Sequence, residues 1–258
     1  MSGTSIADIL SIQLYSLRNY ADLDRQLDAL AEIGFRHVET VGGHLADARG
    51  TRAKLDARGL SAPTGHVGMA DLRTRPDWVA DQAKAVGIEQ LFMPAVPPEE
   101  RDLPLDRWRA VGGELAGMAE AMAAHGITLG YHNHHWELKR GPDGRTPLEE
   151  LFEGAAGSKL TWEADVAWLV RGGVEPVEWL ERYRDRLTAV HVKDIAPEGQ
   201  NLDEDGWADV GRGVLDWRTL WQESRARGAR WMVLEHDKPK DAVAFSRNSH
   251  EFLRDFPA

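Results

Sequence analysis

Hydrophobic positions along the chain follow a unit that recurs over most of its length. Leu23, Leu27 and Leu30 lie at helical spacing, Gly34 follows, and residues 35–40 form a short β-type run. This order predicts an amphipathic helix followed by a strand. A glycine between the two can adopt the left-handed conformation that ends a helix, because it has no Cβ to clash. Five glycines have this position: Gly34, Gly59, Gly87, Gly126 and Gly228.

The repeated unit predicts eight strands, near residues 11–15, 36–40, 60–66, 89–94, 127–133, 159–164, 187–192 and 231–235. Eight β/α units in 258 residues match the size of a (β/α)8 TIM barrel, so we predict an α/β fold with a single domain over residues 1–258. A doubly wound sheet is the alternative, but it usually has a glycine-rich phosphate loop after its first strand, which this chain lacks. The longest predicted loop, 196–213, follows the seventh strand, where loops often cover barrel sites.

Composition limits the classes of partner. The chain has 31 Lys and Arg against 42 Asp and Glu, which gives a net charge of −11. This balance disfavours nucleic acid and anionic membranes, since both reward a basic surface. The first ten residues do not form a signal peptide, and no segment approaches the roughly 20 apolar residues of a membrane span. We therefore expect a cytoplasmic protein, with its oligomeric state, a homo-oligomer included, left open.

Metal-type ligands follow four of the predicted strands, in residues 131–137, 162–165, 189–194 and 233–237. Because the carboxyl ends of barrel strands meet at one rim, these side chains are expected to converge. The chain has no cysteine, so a metal would need oxygen and imidazole ligands. The candidate ligands are Asp165, His191 and Glu235. The alternatives are that Asp165 caps a helix, that His191 is a core residue, and that Lys193 or Lys238 is the cation beside Glu235.

Strand five offers three further candidates. His132 and His134 share a face by the two-residue period, and Glu137 follows the strand. Any of these three can supply a fourth ligand, while the others bind substrate or move protons. Asn133 and His135 are expected to face the surrounding helices. Candidate substrate contacts near the strand ends are Tyr15, Arg18, His66, Trp168 and Lys193.

Several motifs make the chain resemble the xylose isomerase-like barrel superfamily, in particular its sugar phosphate isomerase/epimerase group. The most specific are residues 130–134 (GYHNH), 164–168 (ADVAW) and 191–194 (HVKD). The resemblance implies one divalent ion, Mn²⁺, Mg²⁺, Co²⁺ or Zn²⁺ with Mn²⁺ favoured, and two glutamates that act as acid and base. The implied metal ligands are Glu137, Asp165, His191 and Glu235. The HNH segment also resembles that of keto-inositol dehydratases and of enzymes acting on 3-keto sugars.

The leading hypothesis is a metal-dependent isomerase or epimerase of a small sugar or keto-sugar. Glu137, Glu235, His132 or His134 would take a proton from the carbon next to a carbonyl, through an enediolate. The alternative is a lyase with the same first half, acting on a keto-inositol or a 3-keto-glycoside. An apurinic endonuclease is disfavoured by the acidic charge, and a non-catalytic sugar-binding barrel is the remaining possibility.

Overall fold

Eight parallel strands form a barrel in the computed structural model, which describes residues 5–258. The barrel strands are β1 (Leu10–Ile12), β2 (His37–Thr40), β3 (Ser61–His66), β4 (Gln90–Met93), β5 (Thr128–His132), β6 (Thr161–Asp165), β7 (Leu187–Val192) and β10 (Trp231–Leu234). They follow one another in the order β1-β10-β7-β6-β5-β4-β3-β2, and a parallel bridge between Gln13 and Glu39 links β1 to β2. The predicted TIM barrel is therefore confirmed.

Helices cover the outside of the barrel. The side chain of Asp22 accepts a hydrogen bond from the Arg25 backbone and begins the first of them, while Gly34, at φ 112°, ends it by donating to Leu30 and Ala31. All five glycines predicted to lie between helix and strand have positive φ. The helices are α1 (Leu23–Ile33), α2 (Ala48–Asp56), α3 (Met69–Thr74), α4 (Pro76–Val86), α5 (Leu105–Ala124), α6 (Pro147–Gly154), α7 (Val166–Arg171), α8 (Pro176–Arg182), α9 (Trp217–Ala226) and α10 (Ala242–Leu253).

The first strand is shorter than predicted. β1 ends at Ile12, and Leu14–Leu17 forms a 3-10 helix instead of extending the strand. The turn begins because the Gln13 side chain accepts a hydrogen bond from the backbone N–H of Tyr15, at 3.2 Å. This change of direction brings Tyr15 over the carboxyl-terminal rim of the barrel.

The predicted long loop after the seventh strand contains a small hairpin. β8 (Asp194–Ile195) pairs antiparallel with β9 (Trp207–Ala208). The Asp194 carboxylate then accepts backbone N–H groups from Gly211 at 3.0 Å and Gly213 at 3.2 Å. A Cβ at Gly213 would lie 2.1 Å from Asp194 Oδ1, so this turn requires glycine at position 213.

Apolar side chains fill the barrel and the layer between strands and helices, whereas buried charged groups gather at the carboxyl ends of the strands. Among the described residues, no helix has the length and apolar character needed to cross a membrane. The polar end is therefore the part of the fold that requires a chemical explanation. It contains Glu39, His66, His132, Glu163, Asp165, His191, Lys193 and Glu235.

Candidate metal centre and active site

Two buried imidazoles are each hydrogen-bonded to a carboxylate through one ring nitrogen. His132 Nδ1 lies 3.0 Å from Glu163 Oε2. His191 Nε2 lies 2.9 Å from Glu39 Oε1 and 3.2 Å from Glu163 Oε2. A histidine whose one ring nitrogen bonds a carboxylate has a fixed orientation and a more basic second nitrogen. Each ring therefore presents one defined nitrogen to the space beyond it.

The second nitrogens of these rings face the carboxylates of Asp165 and Glu235. His132 Nε2 and His191 Nδ1 each lie 4.0 Å from Asp165 Oδ2, and His191 Nδ1 lies 3.0 Å from Glu235 Oε2. Ligand atoms around an ion with bonds of about 2.0–2.2 Å are separated by roughly 3 to 4 Å. Asp165 Oδ2 is buried and is paired with the Lys193 ammonium at 2.9 Å. Ligand-type atoms of Asp165, His191 and Glu235 lie within 4.8 Å of one another, and this donor set suits a divalent ion such as Zn²⁺, Co²⁺ or Mn²⁺. His132 Nε2, beside Asp165, is the candidate fourth donor.

A second set of buried ligand-type atoms belongs to His66, His132, Glu163 and His191, which approach within 4.8 Å of one another. Its three imidazole nitrogens converge on one atom, Glu163 Oε2, at 2.7, 3.0 and 3.2 Å. The carboxylate oxygen itself occupies the centre that an ion would need. We interpret this set as the hydrogen-bond network behind the candidate metal ligands.

Lys193 supplies the positive charge at the site. Its ammonium is fully buried, 2.9 Å from Asp165 Oδ2, 2.7 Å from Glu235 Oε2 and 2.9 Å from Asp237 Oδ2. Burial alone would lower the pKa of Lys193, but the three carboxylates raise it above its ordinary value. Of the two lysines considered as partners of Glu235, Lys193 has this role, whereas Lys238 pairs with exposed Asp205 at 3.2 Å.

Glu137 is not brought to the other ligands implied by the resemblance. After β5 the chain enters a 3-10 helix, Trp136–Leu138, which turns the Glu137 carboxylate back toward the strand. Its Oε1 accepts from Tyr131 Oη at 2.6 Å, and its Oε2 from the His134 N–H at 2.7 Å. Of the two ligand sets found within residues 5–258, neither includes Glu137. His132 faces Asp165 in its place.

The buried Glu137 carboxyl leads to a prediction about stability. Burial raises its pKa to about 7, against the opposing effect of the hydrogen bonds from Tyr131 and His134. A carboxyl whose pKa rises on folding favours the folded state at low pH and loses that contribution as the pH rises to the folded-state pKa. For Glu137 the loss between pH 4.5 and pH 8 is about 3 kcal/mol.

The difference in free energy of unfolding between Glu137→Gln and the wild type should therefore shift by about 3 kcal/mol in favour of the variant from pH 4.5 to pH 8, because the amide does not ionise. The measurement is the free energy of unfolding in urea at pH 4.5 and pH 8. Glu153→Gln, at an exposed position on α6, is the matched control. A difference between Glu137→Gln and the wild type that stays constant with pH would show that Glu137 does not titrate in this range.

A cavity of about 310 Å³ opens beside these groups. Of the predicted substrate contacts, Tyr15 and His66 line it, while Arg18, Trp168 and Lys193 are not among its walls within the described chain. The Arg18 guanidinium stacks on the Tyr15 ring at 3.7 Å and donates to the Asp237 carbonyl. The Trp168 ring stacks with His135 at 4.7 Å. The walls that matter for the chemistry are His132, His134, Trp136, Glu235 and Asp237.

His134 presents a neutral imidazole to this cavity. Its ring stacks on Trp136, with centroids 4.1 Å apart, and its Nδ1 is buried without a hydrogen bond inside residues 5–258. Burial, and then the positive charge of Lys193, lowers the pKa of His134 well below its ordinary value. The ring is therefore in the form that accepts a proton at neutral pH.

Asn133 faces a neighbouring strand, contrary to the expectation that it lies against the helices. Its Oδ1 accepts from Trp162 Nε1 at 3.0 Å and from the Asp165 N–H at 3.1 Å. These bonds tie β5 to β6 and fix the backbone that carries Asp165. His135, by contrast, is exposed.

Glu39, Glu163 and Asp237 belong to the site but were not among the predicted site residues. The available signal was a charged residue inside a buried strand, which is costly unless it is paired. Glu39 lies between Val38 and Thr40, and Glu163 between Trp162 and Ala164, and all of these are buried. Asp237 has no comparable local signal, because its role depends on Lys193.

Comparison with known proteins agrees with this fold. Residues 27–256 match the family model described as the xylose isomerase-like TIM barrel. The chain belongs to the xylose isomerase-like TIM barrel family. An inosose dehydratase from Geobacillus kaustophilus is 26% identical over 220 residues, which covers 76% of this chain and 67% of that relative. A second inosose dehydratase, from Lacticaseibacillus casei, is 23% identical over 175 residues, covering 62% of this chain and 56% of that relative's length.

Solved structures of this family share the architecture. A sugar phosphate isomerase/epimerase from Parabacteroides distasonis has a TM-score of 0.79 and 21% identity, covering 98% of this chain and 96% of its own. The IOLI protein, solved with a zinc atom, has a TM-score of 0.74 and 12% identity, covering 94% of this chain and 95% of its own. At these identities the likeness concerns the fold.

Proposed function

We propose that this chain is a metal-dependent carbon–oxygen lyase that acts on a keto-cyclitol or keto-sugar. The observation that carries the proposal is the group of buried ligand-type atoms of Asp165, His191 and Glu235 at the barrel rim, which lie within 4.8 Å of one another. His132 Nε2 lies 4.0 Å from Asp165 Oδ2 as the candidate fourth donor, and the cavity opens beside these side chains. The relatives named inosose dehydratase favour a lyase over the isomerase or epimerase hypothesis.

The proposed metal ligands combine charge with fixed orientation. Asp165 and Glu235 contribute negative charge, and Glu39 and Glu163 keep the two imidazoles directed at the centre. When bound, a divalent ion supplies electrophilic stabilisation of the negative charge that develops on the substrate carbonyl oxygen. Zn²⁺, Mn²⁺ and Co²⁺ all suit this donor set, and Mn²⁺ remains the favoured ion of the sequence analysis.

His134 is the proposed proton acceptor. It lines the cavity, and its low pKa keeps the ring neutral. A neutral imidazole at the wall of the cavity can take the proton from the carbon next to the carbonyl. The electron pair of that C–H bond then forms a carbon–carbon double bond as the oxygen on the next carbon departs.

The departing oxygen needs a proton, and the Asp237–Lys193 pair is placed to provide it. Asp237 lines the cavity, and its Oδ2 lies 2.9 Å from Lys193 Nζ. Burial, against the opposing charge of Lys193, raises the pKa of the Asp237 carboxyl, which favours a proton on this carboxyl at the wall of the cavity. The Lys193 ammonium stays charged, because its carboxylate neighbours raise its pKa, and it positions Asp237.

A product assay separates this function from its rivals. Metal-loaded protein incubated with an inosose or a keto-glycoside is expected to yield an unsaturated product that has lost water or an alcohol, detected by mass. Removal of the metal with a chelator should abolish the reaction, and Mn²⁺, Co²⁺ or Zn²⁺ should restore it. A product of unchanged mass would instead support the isomerase, and metal-independent sugar binding without turnover would support a binding protein.

A further inference from the structure

A second, larger cavity of about 620 Å³ adjoins the active-site cavity. Arg101 and Trp136 line both cavities and form the wall between them. Its other walls come from residues 102–105, before and at the start of α5, and from residues 139–143 and 147, in the loop before α6 and at its first residue. These two segments follow neighbouring strands, β4 and β5, on the same side of the barrel as the proposed metal ligands.

The walls of this outer cavity present hydrogen-bond donors. Arg101, Lys139 and Arg140 line it, and no ion pair joins any of the three to a carboxylate within residues 5–258. Arg140 donates one hydrogen bond, from its Nη1 to the Gly144 carbonyl at 2.7 Å. Of the two acidic side chains there, Asp143 accepts a hydrogen bond from the Arg145 backbone at 3.1 Å, whereas Asp102 is exposed. A ligand in this cavity would need to supply acceptor oxygens.

The wall between the two cavities is a single stacked assembly. The Arg101 guanidinium lies 4.2 Å from the centre of the Trp136 ring, and Trp136 stacks in turn on His134. The other contact of Arg101 within residues 5–258 is a long one of 3.4 Å, from its Nε to the Val96 carbonyl. A group attached to a substrate beside His134 would therefore pass directly along this pair into the outer cavity.

Size distinguishes the two cavities. At about 310 Å³ the inner one is at the lower end of the range for ligand pockets, roughly 300 to 1,000 Å³, which suits a single ring. The outer cavity has space for a second ring. A free keto-cyclitol would occupy the inner cavity and leave the positively charged side chains of the outer one without a ligand.

We propose that the outer cavity binds a second, ring-sized, oxygen-rich group of the substrate, attached through the oxygen that leaves. The substrate class is then a keto-glycoside, and the expelled group is an alcohol such as a sugar. This inference rests on the proposed lyase function. In the reaction the C–H bond next to the carbonyl breaks, its electrons form the carbon–carbon double bond, and the glycosidic C–O electrons leave with the oxygen. That oxygen takes a proton, so no oxidant or reductant is required.

Binding of an inert ligand tests the outer cavity without relying on turnover. Cellobiose and maltose carry no ketone and cannot undergo the elimination, and methyl glucoside is the one-ring reference. Calorimetry on Mn²⁺-loaded protein should give at least one of the disaccharides a Kd at least tenfold lower than that of methyl glucoside. Leu103→Trp, which fills the outer cavity from a loop, should remove this difference, and Arg140→Ala should reduce it.

The controls separate a local effect from a general one. Arg107→Ala removes a positive charge from an exposed position of α5 that does not line the cavity, and it should bind both ligands as the wild type does. A thermal melt of Leu103→Trp establishes that this variant folds. Disaccharides that bind no tighter than methyl glucoside, or an advantage that survives in Leu103→Trp, would overturn the proposal.

Measurements of turnover then separate the outer-cavity proposal from the proposed lyase function. If a keto-cyclitol is dehydrated and keto-disaccharides show no advantage in kcat/KM over it, the lyase function holds and the outer-cavity proposal fails. If no keto substrate is eliminated but the disaccharide advantage in binding depends on Leu103 and Arg140, the cavity assignment holds and the lyase function fails.

Discussion

Replacement of His191 by alanine is expected to remove the bound metal and lower kcat/KM at least a thousandfold, which corresponds to about 4 kcal/mol of barrier. His191 is fully buried, and it connects the two halves of the site. Its Nε2 contacts Glu39 and Glu163, and its Nδ1 faces Asp165 and Glu235. Without the ring, one ligand is lost and four carboxylates remain around the space it leaves.

Metal content is the decisive measurement, since it does not depend on knowing the substrate. His191→Ala protein loaded with Mn²⁺ or Zn²⁺ and then dialysed should retain less than a tenth of the metal that the wild type holds. His125→Ala is the matched control, because His125 lies at the surface and pairs with Asp77. A His191→Ala variant that binds stoichiometric metal and turns over substrate would remove this residue from the proposed ligand set.

Replacement of Lys193 by methionine is expected to destabilise the metal-free protein by about 3 to 5 kcal/mol, the cost of leaving buried charges without their partner. Methionine has a similar length and keeps the packing against Trp168 and Trp207. The ammonium that it removes lies within 3 Å of Asp165, Glu235 and Asp237. The loss is measured from urea unfolding of chelator-treated protein at pH 8.

Divalent metal should recover part of this loss, because a bound ion neutralises Asp165 and Glu235 and binding to the folded state adds stability. Lys238→Met is the matched control. It removes a lysine from an exposed pair with Asp205, and its stability should change by less than about 0.5 kcal/mol. A Lys193→Met protein as stable as the control would show that the three carboxylates do not depend on this ammonium.

Local patterns in the sequence were sufficient for the fold because each β/α unit repeats the same signals. Helical spacing, a glycine and a β-type run identify a unit without knowledge of its neighbours, and eight such units match a TIM barrel. The predicted first strand was wrong in length, because a side chain changed the local backbone there. Gln13 accepts the Tyr15 N–H and ends β1 early.

Within the site, the pattern of strand ends was sufficient to identify where the chemistry lies. Asp165, His191 and Glu235 follow buried strands, and in a parallel barrel such residues share one rim. The structure brings these three together. Their role as metal ligands remains a prediction, as do the native ion and the substrate.

The choice among strand-five residues depended on contacts that the sequence does not display. Glu137 was expected beside the metal, but its carboxylate bonds Tyr131 and the His134 backbone. His132 faces Asp165 because Glu163, 31 residues away, holds its other nitrogen. A two-residue period specifies the face of a strand, but it does not specify which nitrogen of a ring turns inward.

What the sequence by itself determined is the barrel, the rim that carries the chemistry, and the kinds of ligand available there, because these follow from local periodicity and residue type. Only the tertiary structure decided which donors converge, that Glu39 supports His191 from 152 residues away, and that Lys193 lies among three carboxylates. The physical reason is that the orientation of a buried side chain is set by the partners that compensate its charge. Those partners come from distant strands that meet only when the barrel closes.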